Sequence, residues 1–457
     1  MKVHVMQPFK EFVKYPPNIP DLGLGYIVSA LKKHGHDVTI MDWNMNLTVS
    51  GFKKWLVDNA PQCVGVKLFT KDVGAAKETV KIVRETLPEA FIVIGGPHPS
   101  STEPGELMSD FSICDYAIKG EAEQSFPLLL SAINGKSRHV GLEHAVASAI
   151  PGLTWRSNTG VCANPISLHT GLDDIDFPDW DMINPMNYFA TIHGSDKSVG
   201  VPAPVITTRG CTGKCSFCDV HNISGRKIRF RSPENVFKEL CFLYDNYNVR
   251  SFMFQDNSFT SIKNNLVKLC QLMVDSDMKV EWDCVSYERL DNLTPEVLSL
   301  MYKSGCRMIH LGIESGSEQT RKVMNKHGSL EMINEKIRLI AESGIEPFAW
   351  FILGFPGESR AQMQQTIKFA FSAGTPLVKF NLCFPLPGTD VYYYIKNKYK
   401  FDTIDWGNFD IYKSPYPVSE LTSKQLTRLY QIVRWRSLAG RGLRELKNKI
   451  FGKKNMA

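Results

Sequence analysis

The sequence predicts an α/β fold: two successive parallel-sheet units closed by a helical segment. Three observations carry this. Residues 1–145 alternate short β-branched runs with helix-length amphipathic stretches, and the same alternation resumes at Val205 and runs six times. Residues 146–200 between them have no clear period and carry Pro151, Gly152, Pro165, Pro178, Pro185 and Gly194. Residues 400–457 read as mostly helical.

In the first unit strands are expected at 3–6, 37–41, 63–66, 91–94 and 115–118, and helices at 24–34, 52–59, 74–85 and 122–133. Strand–helix alternation implies a parallel sheet covered on both faces, the doubly wound arrangement. Its ligands sit beyond the carboxyl ends of the strands, here the segments 7–25, 67–72, 95–101 and 119–121. A small hairpin is expected around 153–165. In the second unit strands are expected at 205–208, 251–254, 280–285, 308–313, 348–353 and 377–382, with helices at 233–247, 263–275, 294–304, 330–343 and 362–373. Six units are too few for a closed eight-stranded barrel, so the expectation is an open partial (β/α)6 barrel with its chemistry at the carboxyl ends of the strands. The expected divisions are 1–145, a linker over 146–200, the barrel over 201–395 and a C-terminal region over 396–457.

The chain has 457 residues, 43% hydrophobic and 22% charged, an ordinary globular balance. No apolar run reaches the length of a membrane span, and the opening residues are too polar for a secretory signal. The net charge of +6 is local in origin. Residues 434–454 hold eight basic side chains against the single acid Glu445, so this stretch carries +7 and everything else is near neutral. That excludes a nucleic-acid binder basic throughout. Eight of the eleven cysteines are scattered and three crowd together, which fits a reducing cytoplasm and a metal site better than a disulfide framework.

The crowded three lie in Thr208-Arg-Gly-Cys-Thr-Gly-Lys-Cys-Ser-Phe-Cys218, a Cys-x3-Cys-x2-Cys run directly after a strand. Three thiolates that close can each hold one iron of a cubane cluster. The competing reading is a zinc knuckle, which needs a fourth ligand that His221 would have to supply. Spacing, the aromatic Phe217 before the last cysteine, and the position after a first barrel strand together resemble the radical S-adenosylmethionine (SAM) superfamily over residues 203–390. That resemblance implies a 4Fe-4S cluster held by Cys211, Cys215 and Cys218, with an open iron that chelates SAM. It also implies cleavage of SAM to a 5′-deoxyadenosyl radical. Further contacts to SAM are implied for Phe217, for Gln255 and Asp256 after the second strand, and for Ser286 and Arg289 after the third. Glu314 after the fourth strand and Gly354 after the fifth complete the set.

Ahead of such a barrel, Pro17-Asn-Ile-Pro-Asp-Leu-Gly-Leu-Gly25, Gly95-Gly-Pro-His-Pro-Ser100 and Gly120-Glu-Ala-Glu123 place glycine-bearing loops on one sheet edge. A dinucleotide fingerprint is absent. Over residues 1–135 these loops resemble the Rossmann-like cobalamin-binding domain of the cobalamin-dependent radical SAM enzymes. The resemblance implies cobalamin contacts from Leu22, Gly23, Thr70, Gly95, Gly96, Pro97, His98, Gly120 and Glu121. The Asp-x-His-x-x-Gly element that donates a histidine to cobalt is missing from this domain. A loop histidine between two prolines, His98, is more often there for shape, so cobalamin is expected without a lower histidine ligand.

The implied activity is methyl transfer from methylcobalamin to a substrate carbon after hydrogen abstraction. Ring formation or skeletal rearrangement, as in tetrapyrrole and antibiotic pathways, fits the same residues. So does a reading of another class, an iron–sulfur/cobalamin sensor without turnover. Implied partners are a small-molecule or lipid substrate and an electron donor such as flavodoxin or ferredoxin, with no nucleic acid. The basic tail reads either as a closing helix with a solvated basic side or as an amphipathic helix docked peripherally on the anionic inner face of a membrane.

Overall fold

The protein is described as a computed structural model covering residues 1–11, 19–41, 47–188, 202–285, 290–400 and 418–451, with Ile404, Trp406, Lys413 and Tyr416; side chains of 441–451 are not described.

The first unit runs β1 (Lys2–Met6), α1 (Leu22–Lys33), β2 (Asp37–Met41), α2 (Val49–Asn59), β3 (Cys63–Lys67), α3 (Val73–Thr86), β4 (Phe91–Gly95), α4 (Pro97–Ser101), α5 (Pro104–Asp110), β5 (Tyr116–Ile118), α6 (Ala122–Ile133) and α7 (His144–Ser148). Its strands are near-continuous apolar runs, as strands covered on both faces must be. Strand order is β2-β1-β3-β4-β5, all parallel, so the order reverses at β1 and β3, where such sheets bind ligands. The doubly wound expectation holds.

Two details differ from the sequence reading. The hairpin β6 (Leu153–Ser157) and β7 (Gly160–Ala163) does not stand free in a linker: Ile118 pairs with Leu153 and Tyr116 with Trp155, extending the first sheet antiparallel to seven strands. The physical reason is the unpaired outer edge of β5, which needs a partner for its backbone groups. The segment after β4 is also not a plain loop, because Pro97 at a helix start suits the single turn of α4.

The second unit opens with β8 (Ala203–Val205) and a two-stranded ribbon of β9 (Thr208–Arg209) and β10 (Arg229–Phe230) enclosing α8 (Val220–Ser224). It continues α9 (Pro233–Asn246), β11 (Ser251–Phe254), α10 (Lys263–Asp275), β12 (Glu281–Cys284), α11 (Pro295–Lys303), β13 (Cys306–Glu314), α12 (Glu318–Val323), α13 (Leu330–Glu342), β14 (Glu346–Leu353), α14 (Arg360–Ser372) and β15 (Leu377–Leu382). These six main strands pair in parallel and in sequence order from β8 to β15. The expected open six-stranded barrel is present. Two helices follow, α15 (Asp390–Tyr399) and the 29-residue α16 (Ser423–Phe451), which seats Leu426, Tyr430 and Val433 on the barrel core. Among the described residues no helix is long and apolar enough to cross a membrane.

The two units share their interior. One core cluster joins Met6, Val66 and Ile94 of the first sheet to Met324, Phe355, Tyr392, Trp406 and Val418. Another carries Leu22 and Tyr26 of α1 into the barrel core.

Turn geometry holds the barrel units together locally. Gly305, between α11 and β13, has φ +105°, and a Cβ there would lie 2.2 Å from the carbonyl oxygen of Val280. Gly305→Ala is therefore expected to destabilise the protein by roughly 2 kcal/mol or more, read as a lower urea midpoint with the slope unchanged.

Candidate functional site

The carboxyl-end loops of the first sheet, together with the ends of β8 and β11 and the ribbon around the cysteine loop, line one cavity of about 650 Å³. From the first unit come Gln7 after β1, Lys67 ending β3, Gly95–Pro97 after β4, and Gly120, Glu121 and Glu123 after β5; α1 adds Leu22, Gly23 and Tyr26. From the second come Thr208, Arg209, Ser224, Gln255 and Asn257. This arrangement follows from winding: in a parallel sheet every loop that can carry a ligand leaves from the same end.

Of the residues assigned to cobalamin, Leu22, Gly23, Gly95, Gly96, Pro97, Gly120 and Glu121 line this cavity. Thr70 and His98 do not. His98 is fully buried with Nδ1 3.2 Å from Thr70 Oγ1 and Nε2 3.4 Å from Thr102 Oγ1, and its ring lies edge-on to Trp406. Burial pushes its pKa down to about 3. It is a neutral packing residue in the wall behind the loop, and among the described residues no histidine lines the cavity.

The glycines are there for room. Gly96 has φ +97°, and a Cβ there would meet Lys67 Cγ at 2.9 Å and Leu68 backbone at 3.2 Å; a Cβ on Gly23 would meet Lys67 Nζ at 2.5 Å. Lys67 Nζ is fixed 2.5 Å from Asp21 Oδ1, and Asp21 also accepts from Gln7 and caps α1 through Leu24 N–H. Burial would raise the Asp21 pKa, but Lys67 more than reverses it and the carboxyl stays ionised. Composition gave no sign of this polar trio on the cavity wall.

The cysteine loop leaves β9 at Gly210, whose φ of +88° and 2.3 Å approach to Lys227 O permit no side chain. The loop is pinned from several sides. Ser216 N–H donates to Met324 O (3.1 Å), Val391 N–H to Ser216 O (3.3 Å) and Cys211 N–H to Gly225 O (3.2 Å). The Cys211 and Cys215 sulfurs flank Gly213, 3.3 and 3.8 Å from where its Cβ would be. Burial pushes the Cys218 thiol up to about 12 and raises Cys215, so both are protonated until a metal displaces the proton. Among the described residues no three His, Cys, Asp or Glu side chains are arranged to hold a single metal ion. A cubane asks for something else, three thiolates each on its own iron, and a short loop with three free, half-exposed cysteines fits that donor set.

The described residues assigned to SAM stand at barrel strand ends or in the cysteine loop, and of these and the three cysteines only Gln255 is among the residues lining the cavity. Asp256 Oδ1 accepts from the N–H and Oγ1 of both Thr207 and Thr208, tying the end of β11 to the approach of the cysteine loop. Its Oδ2 is buried without a hydrogen-bond partner, and burial lifts its pKa to about 7. Glu314 ends β13 at a register shift with φ +69°, rare for a residue with a side chain, and its Oε1 is 3.3 Å from Lys326 Nζ. Gly354 has φ +82° beside Leu426 of α16, and Glu358 Oε2 closes that turn by accepting from Gly354 N–H and Phe355 N–H. Phe217 packs against the shared core. Ser286 and Arg289 lie outside the described residues.

Four residue pairs join the loops. Ser101 at the end of α4 donates to Asp219 beside Cys218 (3.3 Å), so the Gly-Gly-Pro-His-Pro segment sits on α8. Arg229 makes paired hydrogen bonds to Glu121 (2.7 and 2.8 Å), while Arg209 reaches Glu123 at 2.7 Å and Glu121 at 3.6 Å. Arg209 also lies over the Tyr26 ring. Burial would raise the Glu123 pKa, but Arg209 holds it below the usual carboxylate range. Sequence reasoning marked Glu121 but not its partners, since nothing local pairs position 121 with 229.

Residues 205–370 match the family model of the Radical SAM superfamily, and residues 12–130 that of the B12 binding domain. An uncharacterised methyltransferase of Pyrococcus horikoshii is 28% identical over 413 residues, covering 90% of this chain and 86% of the relative. An anaerobic magnesium-protoporphyrin IX monomethyl ester cyclase of Rubrivivax gelatinosus is 25% identical, covering 86% and 69%. A radical S-adenosylmethionine methyltransferase of Kitasatospora setae, solved with cobalamin and a 4Fe-4S cluster, superposes with a TM-score of 0.68 at 19% identity, covering 87% and 75%.

Removing one member of the buried bridge strands its partner. Arg229→Met is expected to cost about 3 kcal/mol in denaturant unfolding. Combined with Glu121→Gln, the loss should fall short of the sum of the two single losses by about 1 kcal/mol or more.

Proposed function

This chain is a cobalamin-dependent radical SAM protein, and we propose that it is a methyltransferase that moves a methyl group carried by cobalamin onto a carbon of a small-molecule or lipid substrate. The observation behind this reading is the shared cavity: the glycine loops of the first unit and the ends of β8 and β11 of the barrel open onto one space, with the cysteine loop seated beside it on α4. The methyltransferase names of relatives that match most of the chain support it.

In this reading Cys211, Cys215 and Cys218 hold the cluster. Gln255, Asp256, Glu314, Gly354 and Phe217 would contact SAM; Ser286 and Arg289, assigned to it from the sequence, lie outside the described residues. Leu22, Gly23, Gly95, Gly96, Pro97, Gly120 and Glu121 cradle cobalamin. The cluster supplies the electron that cleaves SAM, and cobalamin supplies a carrier for the methyl group. The chain's own part is placement. Lys67, Asp21 and Gln7 present fixed hydrogen-bonding groups to the cavity, and the apolar walls from Val5, Val66, Val93, Ile94 and Ile118 exclude water. Among the described residues no histidine lines the cavity, and His98 is turned to Thr70 and Thr102, so a bound cobalt would take no histidine from them. Reduced flavodoxin or ferredoxin delivers the electron, in the reducing cytoplasm that eleven free cysteines suit.

Ring formation is the second reading, favoured by the likeness to the cyclase. Anaerobic assays over candidate substrates separate the two. Methyl transfer is expected to yield S-adenosylhomocysteine together with 5′-deoxyadenosine and a product heavier by one methylene unit. A product without S-adenosylhomocysteine would favour ring formation, and no turnover of SAM at all would favour a sensor.

Two loading experiments follow. Anaerobically reconstituted protein is expected to bind about four irons and four sulfides per chain, and Ala at all three loop cysteines to abolish the broad visible absorption; stoichiometric zinc instead would overturn the cluster. The cob(II)alamin form is expected to show no imidazole nitrogen splitting by electron paramagnetic resonance. His98→Ala should leave that spectrum unchanged while lowering thermal stability.

A further inference from the structure

The outer side of α16 is unlike the rest of the surface. At 100° per residue, Leu426, Tyr430, Val433 and Ser437 fall within about 60° of one another. This is the side seated on the barrel, where Ser437 Oγ donates to Val378 O. Ile432, Trp435 and Leu438 form a second apolar stripe centred about 170° away. All three face solvent, at 57%, 75% and 49% exposure. A helix inside a globular protein needs one apolar side; this one has two, and only one is covered.

Charge frames the uncovered stripe. Arg434 and Arg436, both exposed, fall about 40° outside its two edges. Arg436 lies over the Phe371 ring of α14, its guanidinium carbon 4.0 Å from the centroid. Between the two helices runs an open groove of about 370 Å³ in which Arg436 and the exposed Lys368 are the cations, with Gln364 and Ser372 as hydrogen-bonding neighbours and, among the described residues, no acid in its lining. The sequence then adds six further basic residues by Lys454 against one acid.

We propose that this side of the protein docks on an anionic phospholipid surface, with Ile432, Trp435 and Leu438 entering the headgroup boundary and a lipid phosphate held between Lys368 and Arg436. An exposed tryptophan flanked by arginines matches the interface, where an amphipathic ring is favoured and cations meet negative lipid. A second copy of the chain is a poorer occupant, because two such basic faces repel each other.

The test uses the full chain and sucrose-loaded vesicles of phosphatidylcholine alone or mixed with phosphatidylglycerol, at low and high salt. The expected result is pelleting with the mixed vesicles only, released by salt. Arg434→Glu with Arg436→Glu should weaken that partitioning by more than about tenfold, and Trp435→Ser with Leu438→Ser by about tenfold. Thermal melts of each variant check that it is folded, and the wild-type comparison across lipid and salt decides by itself if one is not. Pelleting that is absent, or equal on neutral vesicles, overturns the proposal. So does partitioning that folded variants of both kinds leave unchanged. A dimer that Trp435→Ser returns to monomer, without vesicle binding, would give the stripe to a second copy instead.

Discussion

The arrangement rests on a buried exchange of charge between the two units. Glu121 and Glu123 stand at the end of β5, and Arg229 and Arg209 on the short ribbon around the cysteine loop. Taking these groups out of water costs more than an ordinary contact returns, so they are tolerable only when matched across the interface with their hydrogen bonds made. That makes the bridge a condition on geometry more than a source of stability. Any relative placement of the sheets that separated Arg229 from Glu121 would leave an uncompensated buried charge. The permitted placement is the one in which the carboxyl-end loops of the first sheet and the ends of β8 and β11 open onto the same space. Glu121 also accepts from His169 N–H, which draws the segment after the hairpin into the same junction.

The glycines and the bridge solve complementary problems. Charge brings the loops together, and missing side chains keep them from filling the space between. At Gly96 and Gly23 the backbone and the Lys67 side chain already occupy the volume a Cβ would need. At Gly210 the backbone of Lys227 does. Glu314 is the exception: its side chain is carried in a conformation glycine would adopt freely, at the end of a barrel strand and against Lys326. Strain of that kind persists only where the surroundings over-determine it.

The parts legible in the sequence were those written in local periodicity and spacing. Helices 122–133 and 263–275 and strands 251–254 and 377–382 match to the residue, and the cysteine loop is plain from eight positions. What was hidden depends on partners far along the chain. The hairpin's place in the first sheet follows from the open edge of β5, which no pattern within 153–165 records. Thr70 and His98 share their loops with residues that line the cavity yet point into the wall, because a five-residue helical turn rotates His98 away from Pro97. The pairing of Asp21 with Lys67 and of Glu121 with Arg229 crosses 46 and 108 residues.

The shared core has a consequence for biosynthesis. One cluster draws on Met6, Ile94, Met324, Tyr392 and Val418, so its members emerge from the ribosome far apart in time. The first sheet can pair its strands early and cover both faces with its own helices, yet the part of its core that meets Met324, Tyr392 and Val418 is completed only when those residues have been made. The cysteine loop, pinned by Val391 N–H, therefore gains this brace only once the segment carrying Tyr392 has been made.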